Sequence, residues 1–286
     1  MTNSLSPSKI KYLLDKYDIR LTKSLGQNLL TDANIAEKIA HAAAGADDSP
    51  TLCPHVVEIG SGFGSLTIPL SKLTAKLTAV EIDARLIPLL DEVLSETEVK
   101  NVELINEDFL KYDIDSIDSP WYAAGNLPYN ITTPIIMRIL EQDNLPERMT
   151  FLVQKEAAKR ITARPGGKDR GAVSVIVQYM CHTEHIMDVG PDVFFPKPKV
   201  ESSLVLLAPK KQRFSLYENS LFRTVVKTAF SQRRKMLRGP LSSLISDKML
   251  LSEVFKEAGV EETTRAETLT VEQFIKLTES FKHRIK

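Results

Sequence analysis

Asn126-Leu127-Pro128-Tyr129 gathers the groups in this chain best suited to chemistry. It follows Trp121-Tyr122-Ala123-Ala124-Gly125, an apolar run that reads as a buried strand ending in glycine. An Asn-Pro-aromatic cluster at a strand end suits holding the exocyclic amino group of a planar base. The lone pair of that nitrogen is delocalised into the ring, so it is a poor nucleophile. Two acceptors on its hydrogens, the Asn126 side-chain oxygen and the Leu127 carbonyl, draw the nitrogen towards tetrahedral geometry and free the lone pair. Tyr129 supplies a ring to stack on the base, and Pro128 stiffens the turn by fixing φ. Taken alone, the tetrapeptide reads equally as a turn that redirects the chain.

Three signals precede it, each at the end of a predicted strand. Val56-Val57-Glu58-Ile59-Gly60-Ser61-Gly62-Phe63-Gly64 runs from a strand into a G-x-G-x-G turn. Glycines there let a ligand approach the backbone, and the next helix offers free N–H groups. A dinucleotide site looks similar, although the spacing departs from G-x-G-x-x-G. The second strand ends in Val80-Glu81-Ile82-Asp83, about 20 residues after the turn, where a carboxylate can accept both ribose hydroxyls. The third leads to Asn106-Glu107-Asp108-Phe109. Asp108 can accept from an adenine amino group while Phe109 or Ile82 packs on the ring. Singly, each carboxylate reads as well as a helix N-cap or a surface charge. In this order, at successive strand ends, they describe a pocket for an adenosyl cofactor. NAD needs a second mononucleotide half and a site for hydride transfer, and neither is evident. S-adenosylmethionine fits better, because its adenosine needs one site and its sulfonium then faces the fourth strand end, where Asn126 sits.

The elements that position these groups alternate. Helices are predicted over 8–16, 32–44 (with Asp32 as N-cap), 66–73, 84–94 (with Pro88 kinking it or in its first turn) and 133–142. Strands are predicted over 55–59, 76–80, 102–105, 122–125 and 149–153. Residues 23–30 read as a glycine-containing loop, and Thr132 and Thr133 as caps ahead of Pro134. Alternation implies a parallel sheet covered on both faces. Segments 183–189 and 202–207 lie close together with no helix of any length between them, which predicts a final hairpin-like pair. Pro209-Lys210-Lys211-Gln212 reads as a linker, and about 75 residues of helical pattern follow. The domains are therefore expected at 1–208 and 209–286.

The 286 residues suffice for one large and one small domain. With 43% apolar and 26% charged residues the composition is that of a soluble globular protein. No run of 18 or more apolar residues occurs, so no membrane span is expected. Met1 to Lys11 lacks a signal core or an Arg-rich presequence, which favours the cytoplasm. Cys53 and Cys181 are far apart, as suits a reducing compartment. The formal net charge is zero, yet Arg223 to Arg238 holds six basic residues and no acidic one. Lys155, Lys159, Arg160, Arg164, Lys168 and Arg170 form another basic stretch. Both suit a nucleic-acid backbone, or a solvated helix face. Cys181, His182 and His185 fall short of the four-ligand expectation for zinc, so no metal is expected.

With these residues in view, the chain resembles the ribosomal RNA adenine N6,N6-dimethyltransferases of the bacterial kasugamycin-sensitivity type. The resemblance is carried by Lys23-Ser24-Leu25-Gly26-Gln27-Asn28-Leu29-Leu30, the glycine turn, Glu81, Asp108 and Asn126-Leu127-Pro128-Tyr129-Asn130. It extends to Phe194-Phe195-Pro196-Lys197-Pro198-Lys199-Val200-Glu201-Ser202 and Arg233-Arg234-Lys235-Met236-Leu237-Arg238. It implies an α/β fold, a Rossmann-like S-adenosylmethionine-dependent methyltransferase sheet with a small C-terminal all-α domain. It implies cofactor contacts at Asn28, Leu30, Gly60, Glu81, Asp108 and Asn126, and a base pocket of Asn126, Tyr129 and Phe194. Leu29 stands where the family usually has Phe, and Ser61 where it has Pro; modest effects on packing are expected. The implied substrate is two adjacent adenosines near the 3′ end of 16S rRNA in the small ribosomal subunit, modified late in assembly; nothing in the sequence suggests an obligate dimer, and a monomer is expected. The related erythromycin-resistance methyltransferases, which act on large-subunit RNA, are the nearest rival. A ribosome-assembly factor whose binding matters more than its catalysis is a second.

Overall fold

The computed structural model describes residues 7–21, 28–45, 51–97, 99–210, 216–282 and 284. The predicted loop residues 23–27 and linker residues 211–212 lie outside them. The chain divides into two compact units, Met1–Ala158 with Glu184–Pro209, and Lys159–Thr183 with Lys210–Lys286.

The first unit opens with α1 (Pro7–Lys16), β1 (Leu29–Leu30) and α2 (Ala33–Ala44). Then β2 (Cys53–Ile59), α3 (Thr67–Leu73), β3 (Thr74–Glu81), α4 (Leu86–Glu96) and β4 (Val102–Asn106) alternate. β5 (Tyr122–Asn126), α5 (Thr132–Leu140), β6 (Arg148–Gln154) and the start of α6 (Lys155–Ile161) follow. After α7 (Ala172–Met180) come β7 (Cys181–Val189), β8 (Phe194–Phe195) and β9 (Ser202–Pro209). Strands β2 to β6 are parallel to their neighbours, and β9 runs antiparallel to β6. The sheet order is β4-β3-β2-β5-β6-β9-β7, and β1 pairs with β8 in a separate two-stranded ribbon. The near-continuous apolar runs of β2, β5, β6 and β9 suit strands buried on both faces. Ala36, Ile39 and Ala40 of α2 pack with Val56, Ala124 and Leu152 of the sheet. Ile10, Leu13 and Leu14 of α1 pack with Leu86, Leu89 and Val93 of α4.

β2 has β3 and β4 on one side and β5 on the other, so the chain changes direction across the sheet between β2 and β5. A crevice opens at the carboxyl ends of strands at such a point. Gly60 follows β2 there, and Asn126 closes β5.

The predicted parallel sheet and terminal strand pair are both present, with β9 and β7 as neighbours. Asp32 caps α2 as expected, accepting from the Ile35 N–H at 3.0 Å, and Pro88 sits in the first turn of α4. Two local expectations are corrected. Leu29 and Leu30 form β1 rather than loop, because β8 supplies their pairing. Thr132 is not a cap: Ile131 holds the N-cap position of α5, and the Thr132 hydroxyl donates to the Pro128 carbonyl at 3.2 Å.

The second unit combines most of α6, α7, α8 (Leu216–Phe230), α9 (Arg238–Leu241), α10 (Lys248–Ala258) and α11 (Val271–Phe281). The boundary expected after residue 208 falls close to Pro209, but Lys159–Thr183 also joins this unit. The reason is packing: Tyr179 of α7 stacks on Phe222 of α8 at 3.8 Å between centroids, and the Gly166 N–H donates to the Glu267 carbonyl at 2.8 Å. Arg170 is fully buried here and donates to Ala163 O (2.7 Å), Gln178 Oε1 (3.0 Å) and Leu269 O (3.1 Å). It therefore leaves the set of cations expected to face RNA. The other basic residues from Lys159 to Lys168, and Lys227, Arg233, Arg234 and Lys235, are exposed.

Charge follows the division. The second unit holds 21 Lys and Arg against 10 Asp and Glu, the first 16 against 27, so formal charges of +11 and −11 underlie the net zero.

Candidate active site

A cavity of about 750 Å³, open to solvent, occupies the crevice above β2 and β5. Its floor is the glycine turn. Gly60 and Gly62 take φ of +76° and +57°, a region that L side chains rarely enter. A Cβ on Gly60 would meet only the Asn126 carbonyl, at 3.9 Å, so the backbone there stands open to the cavity. A Cβ on Gly62 would meet Leu29 Cδ2 at 2.9 Å: Leu29, one of the two departures from the resembled family, packs on this turn. The other, Ser61, is buried, and its hydroxyl has no hydrogen-bond partner among the described residues.

Glu81 ends β3 beside the turn. Its two carboxylate oxygens accept the N–H of Gly62 and of Asp83, each at 2.9 Å. Burial raises its pKa, and those backbone donors oppose the rise. The group is thus fixed in orientation, with lone pairs left over for ribose hydroxyls. Asp83 is clamped in turn by Arg85, at 2.8 Å from Nε and 2.7 Å from Nη2. After β4, Asp108 and Glu107 line the cavity with Phe109 and Ile82. Ile82 is 49% exposed although apolar, a surface for a ring to cover. One layer down, Glu58 of β2 is fully buried, and burial pushes its carboxyl up to about 8, against the pull of the Thr67 hydroxyl.

β5 delivers the remaining group. Gly125 lets β5 approach β2: a Cβ there would lie 2.5 Å from the Ile59 carbonyl oxygen. The Asn126 Nδ2 donates to the Asn28 carbonyl at 2.6 Å, which fixes the amide and leaves Oδ1 as its free end. The Leu127 N–H is held by the Leu152 carbonyl at 3.0 Å. Among the described residues neither Asn126 Oδ1 nor the Leu127 carbonyl accepts a hydrogen bond. Tyr129 is anchored by its hydroxyl to Ser202 Oγ at 2.7 Å, which presents the ring rather than the hydroxyl.

Asn28, Gly60, Glu81, Asp108 and Asn126 through Tyr129 all line the one cavity. Two expected residues do not. Leu30 is buried behind it, its carbonyl accepting from Ser65 Oγ. Phe194 is buried in the core beside Leu30. Lining residues missed from sequence include Ile131 and Ile135, although their i, i+4 spacing just after the tetrapeptide was a usable signal. The Asn28 and Ser202 anchors had none, being far away in the chain. Cys53 and Cys181 are buried, with thiols pushed up by burial to about 11 and about 12, so neither is a thiolate nucleophile. His185 Nε2 pairs with Asp188 at 2.8 Å. Among the described residues no cluster of three His, Cys, Asp or Glu is placed to hold a metal, and no helix is long and apolar enough to cross a membrane.

Residues 19–283 match the family "Ribosomal RNA adenine dimethylase". The chain belongs to that family. It is 42% identical over 97% of its length to "Ribosomal RNA small subunit methyltransferase A" of Alkaliphilus metalliredigens, covering 98% of that relative. The Clostridioides difficile protein of the same name is 39% identical over 94% of this chain and 93% of its own. Among solved structures, the "23S rRNA methyltransferase ErmE" superposes with TM-score 0.69 at 27% identity, over 89% of this chain and all of the other. A dimethyladenosine transferase from Plasmodium falciparum shares the fold, with TM-score 0.75 at 24% identity over 89% of this chain and 98% of its own. The methyl donor of this family is S-adenosylmethionine, and the dimethylase cavity fits it. The open Gly60 backbone, the oriented Glu81 carboxylate and an acidic lining all suit an adenosyl group that carries a positive charge.

Proposed function

We propose that this family member transfers methyl groups from S-adenosylmethionine to N6 of two adjacent adenosines near the 3′ end of 16S rRNA. The product is N6,N6-dimethyladenosine, made in the cytoplasm by a monomer during late small-subunit assembly. The observation that carries the reading is the fixed amide of Asn126. Because Nδ2 is committed to Asn28, Oδ1 has one role left, accepting from an amino group. The Leu127 carbonyl is the second acceptor. Together they hold both hydrogens of an adenine N6 and concentrate its lone pair on one side. Tyr129 stacks on the ring, and positioning does most of the catalytic work. S-adenosylmethionine, when bound, supplies an already activated methyl group. Glu81 would hold its ribose, Asp108 its adenine amino group, and the Gly60–Gly62 backbone its remaining polar groups. The base must leave its stack to enter the cavity. The excess of cations on the second unit suits the phosphates of a structured RNA.

The test incubates the protein with labelled S-adenosylmethionine and small subunits lacking the 3′-terminal methylations, with the product mapped by nucleoside mass spectrometry. Two methyls on each of two neighbouring adenosines are expected, and Asn126→Ala should abolish transfer while cofactor binding remains detectable. Label on large-subunit RNA, or an Asn126→Ala variant with unchanged turnover, overturns the assignment. Tight subunit binding without transfer makes assembly the primary role.

A further inference from the structure

Phe194 and Phe195 are adjacent in sequence and opposite in environment. β8 pairs antiparallel with β1, Leu30 opposite Phe194 and Leu29 opposite Phe195. Residues in register share a face of such a ribbon, and successive residues alternate. Leu30 and Phe194 take the inner face and are buried in the core. Leu29 takes the other, where it packs on Gly62 and lines the cavity. Phe195 shares that second face and is 45% exposed, whereas Leu29 opposite it is buried in a core cluster with Phe63 and Leu86. A flat apolar ring therefore stands one strand spacing, about 5 Å, outside a wall residue of the cavity. It is not itself part of the lining, so it reaches the rim and not the bound base.

A single exposed aromatic needs no special explanation. Here the position and the neighbours supply one. Pro196-Lys197-Pro198-Lys199 continues from the ring, with both lysines exposed. Lys197 is paired with Asp192, which leaves Lys199 as the cation for a phosphate. An exposed aromatic ring followed within a few residues by an exposed cation has the components of a sequence-tolerant single-strand site, since every base has a face to stack. A polynucleotide that sends one base into the cavity must carry the next base past its rim.

We infer that Phe195 is a stacking platform for the nucleotide adjacent to the adenosine in the cavity, with Lys199 on the intervening backbone. This rests on the rRNA reading of the site. With two adjacent targets, the ring holds one adenosine while its neighbour reacts.

The test uses Phe195→Ala, Phe195→Leu and Phe195→Trp in the full chain, with methylation of under-methylated small subunits as one readout. Phe195→Ala and Phe195→Leu should raise KM for the subunit roughly five- to a hundredfold, with cofactor Kd and melting temperature unchanged. Phe195→Trp should restore KM, because a ring is what matters. The second readout needs no transfer: a short single-stranded RNA with 2-aminopurine next to the target adenosine, whose fluorescence falls on stacking. Quenching by wild type and Phe195→Trp, but not by Phe195→Ala, is expected. Equal KM across the three variants, or equal quenching by wild type and Phe195→Ala, overturns the platform. Failure of the wild type to methylate small subunits removes the functional reading instead, and the quenching comparison still decides for or against Phe195.

Discussion

Gly125→Ala is the smallest change that should disable the site without touching any proposed contact. The added methyl carbon would stand 2.5 Å from the Ile59 carbonyl oxygen, 3.2 Å from Leu127 Cδ2 and 3.4 Å from the Ile59 carbonyl carbon. The closest of these is backbone, which no rotamer change can move. Restoring ordinary contact needs the ends of β2 and β5 to part by about 1 Å, at the strand pair that carries Gly60 and Asn126. The first consequence is strain of about 1–3 kcal/mol, as for an overpacked core. The second falls on rate. A displacement of about 1 Å between a positioned group and its substrate costs about a hundredfold in turnover, or about 2.7 kcal/mol in the barrier. Steady-state methylation over a range of subunit concentrations, with cofactor affinity by calorimetry and melting followed by circular dichroism, separates the two. Turnover should fall about a hundredfold in a protein that is still folded at assay temperature. A Gly125→Ala enzyme with wild-type turnover and unchanged melting would show that the close approach of β5 to β2 does not set the position of Asn126.

Four other substitutions follow from the same geometry. Glu81→Gln must turn an NH2 towards the N–H of Gly62 or of Asp83, so one hydrogen bond becomes a donor–donor contact. At about 2–3 kcal/mol, cofactor Kd measured by calorimetry should rise roughly thirty- to 150-fold. Glu58 has a folded-state pKa of about 8, raised above its unfolded value by burial. The folded state then binds more protons between the two values, and stability is lost as pH rises from below the unfolded pKa through about 8. Glu58→Gln should flatten that loss, matching wild type near pH 5 and exceeding it near pH 9 in urea melts; parallel curves refute it. Arg170→Met strands Gln178 Oε1 and the Leu269 carbonyl, while the Ala163 carbonyl keeps its bond from Gln178 Nε2, and should destabilise the protein by about 2–3 kcal/mol in the same melts. It should leave the salt slope of RNA binding unchanged, whereas exposed Arg234→Ala should lower that slope by about one.

What was legible in the sequence was whatever local pattern encodes. Val56-Val57, Ala123-Ala124 and Leu152-Val153 read as buried strands because parallel strands are apolar on both faces. The glycine turn, Glu81, Asp108 and Asn126 read as one site because each follows a strand, and parallel strands put their ends together. What failed depended on partners remote in the chain. β1 and β8 are two residues each, too short for any periodicity, and exist because they pair with each other. Their register decides that Phe194 is core and Phe195 exposed, which no alternation within a two-residue strand reveals. Arg170 reads as a surface charge from its neighbours in sequence. Only the carbonyls of Ala163 and Leu269 and the amide of Gln178 make its burial tolerable. Lys159–Thr183 belongs with a unit whose other part begins at Lys210, and a left-to-right reading assigns it to the elements it follows.

The zero net charge was the least informative number in the sequence, because it is the sum of +11 and −11. That division of charge suits the two ligands of the proposed reaction. The cofactor is a cation and gains from the negative field of the first unit, where Glu81, Glu107 and Asp108 line the cavity. The RNA is a polyanion and gains from the second, where Lys159, Arg160, Arg164, Lys168, Arg233, Arg234 and Lys235 are exposed. Charges mixed evenly over one surface would cancel both attractions. At physiological salt the screening length is about 8 Å, and domains of these sizes have radii of gyration of about 16 and 13 Å. The field of each unit therefore decays over less than that unit's own dimension. Binding of the cofactor, one small cation in a partly enclosed cavity, should respond weakly to salt. RNA binding, which releases counterions from many phosphates, should respond steeply. Similar slopes for both ligands would mean that the separation of charge between the units has no part in how either is bound.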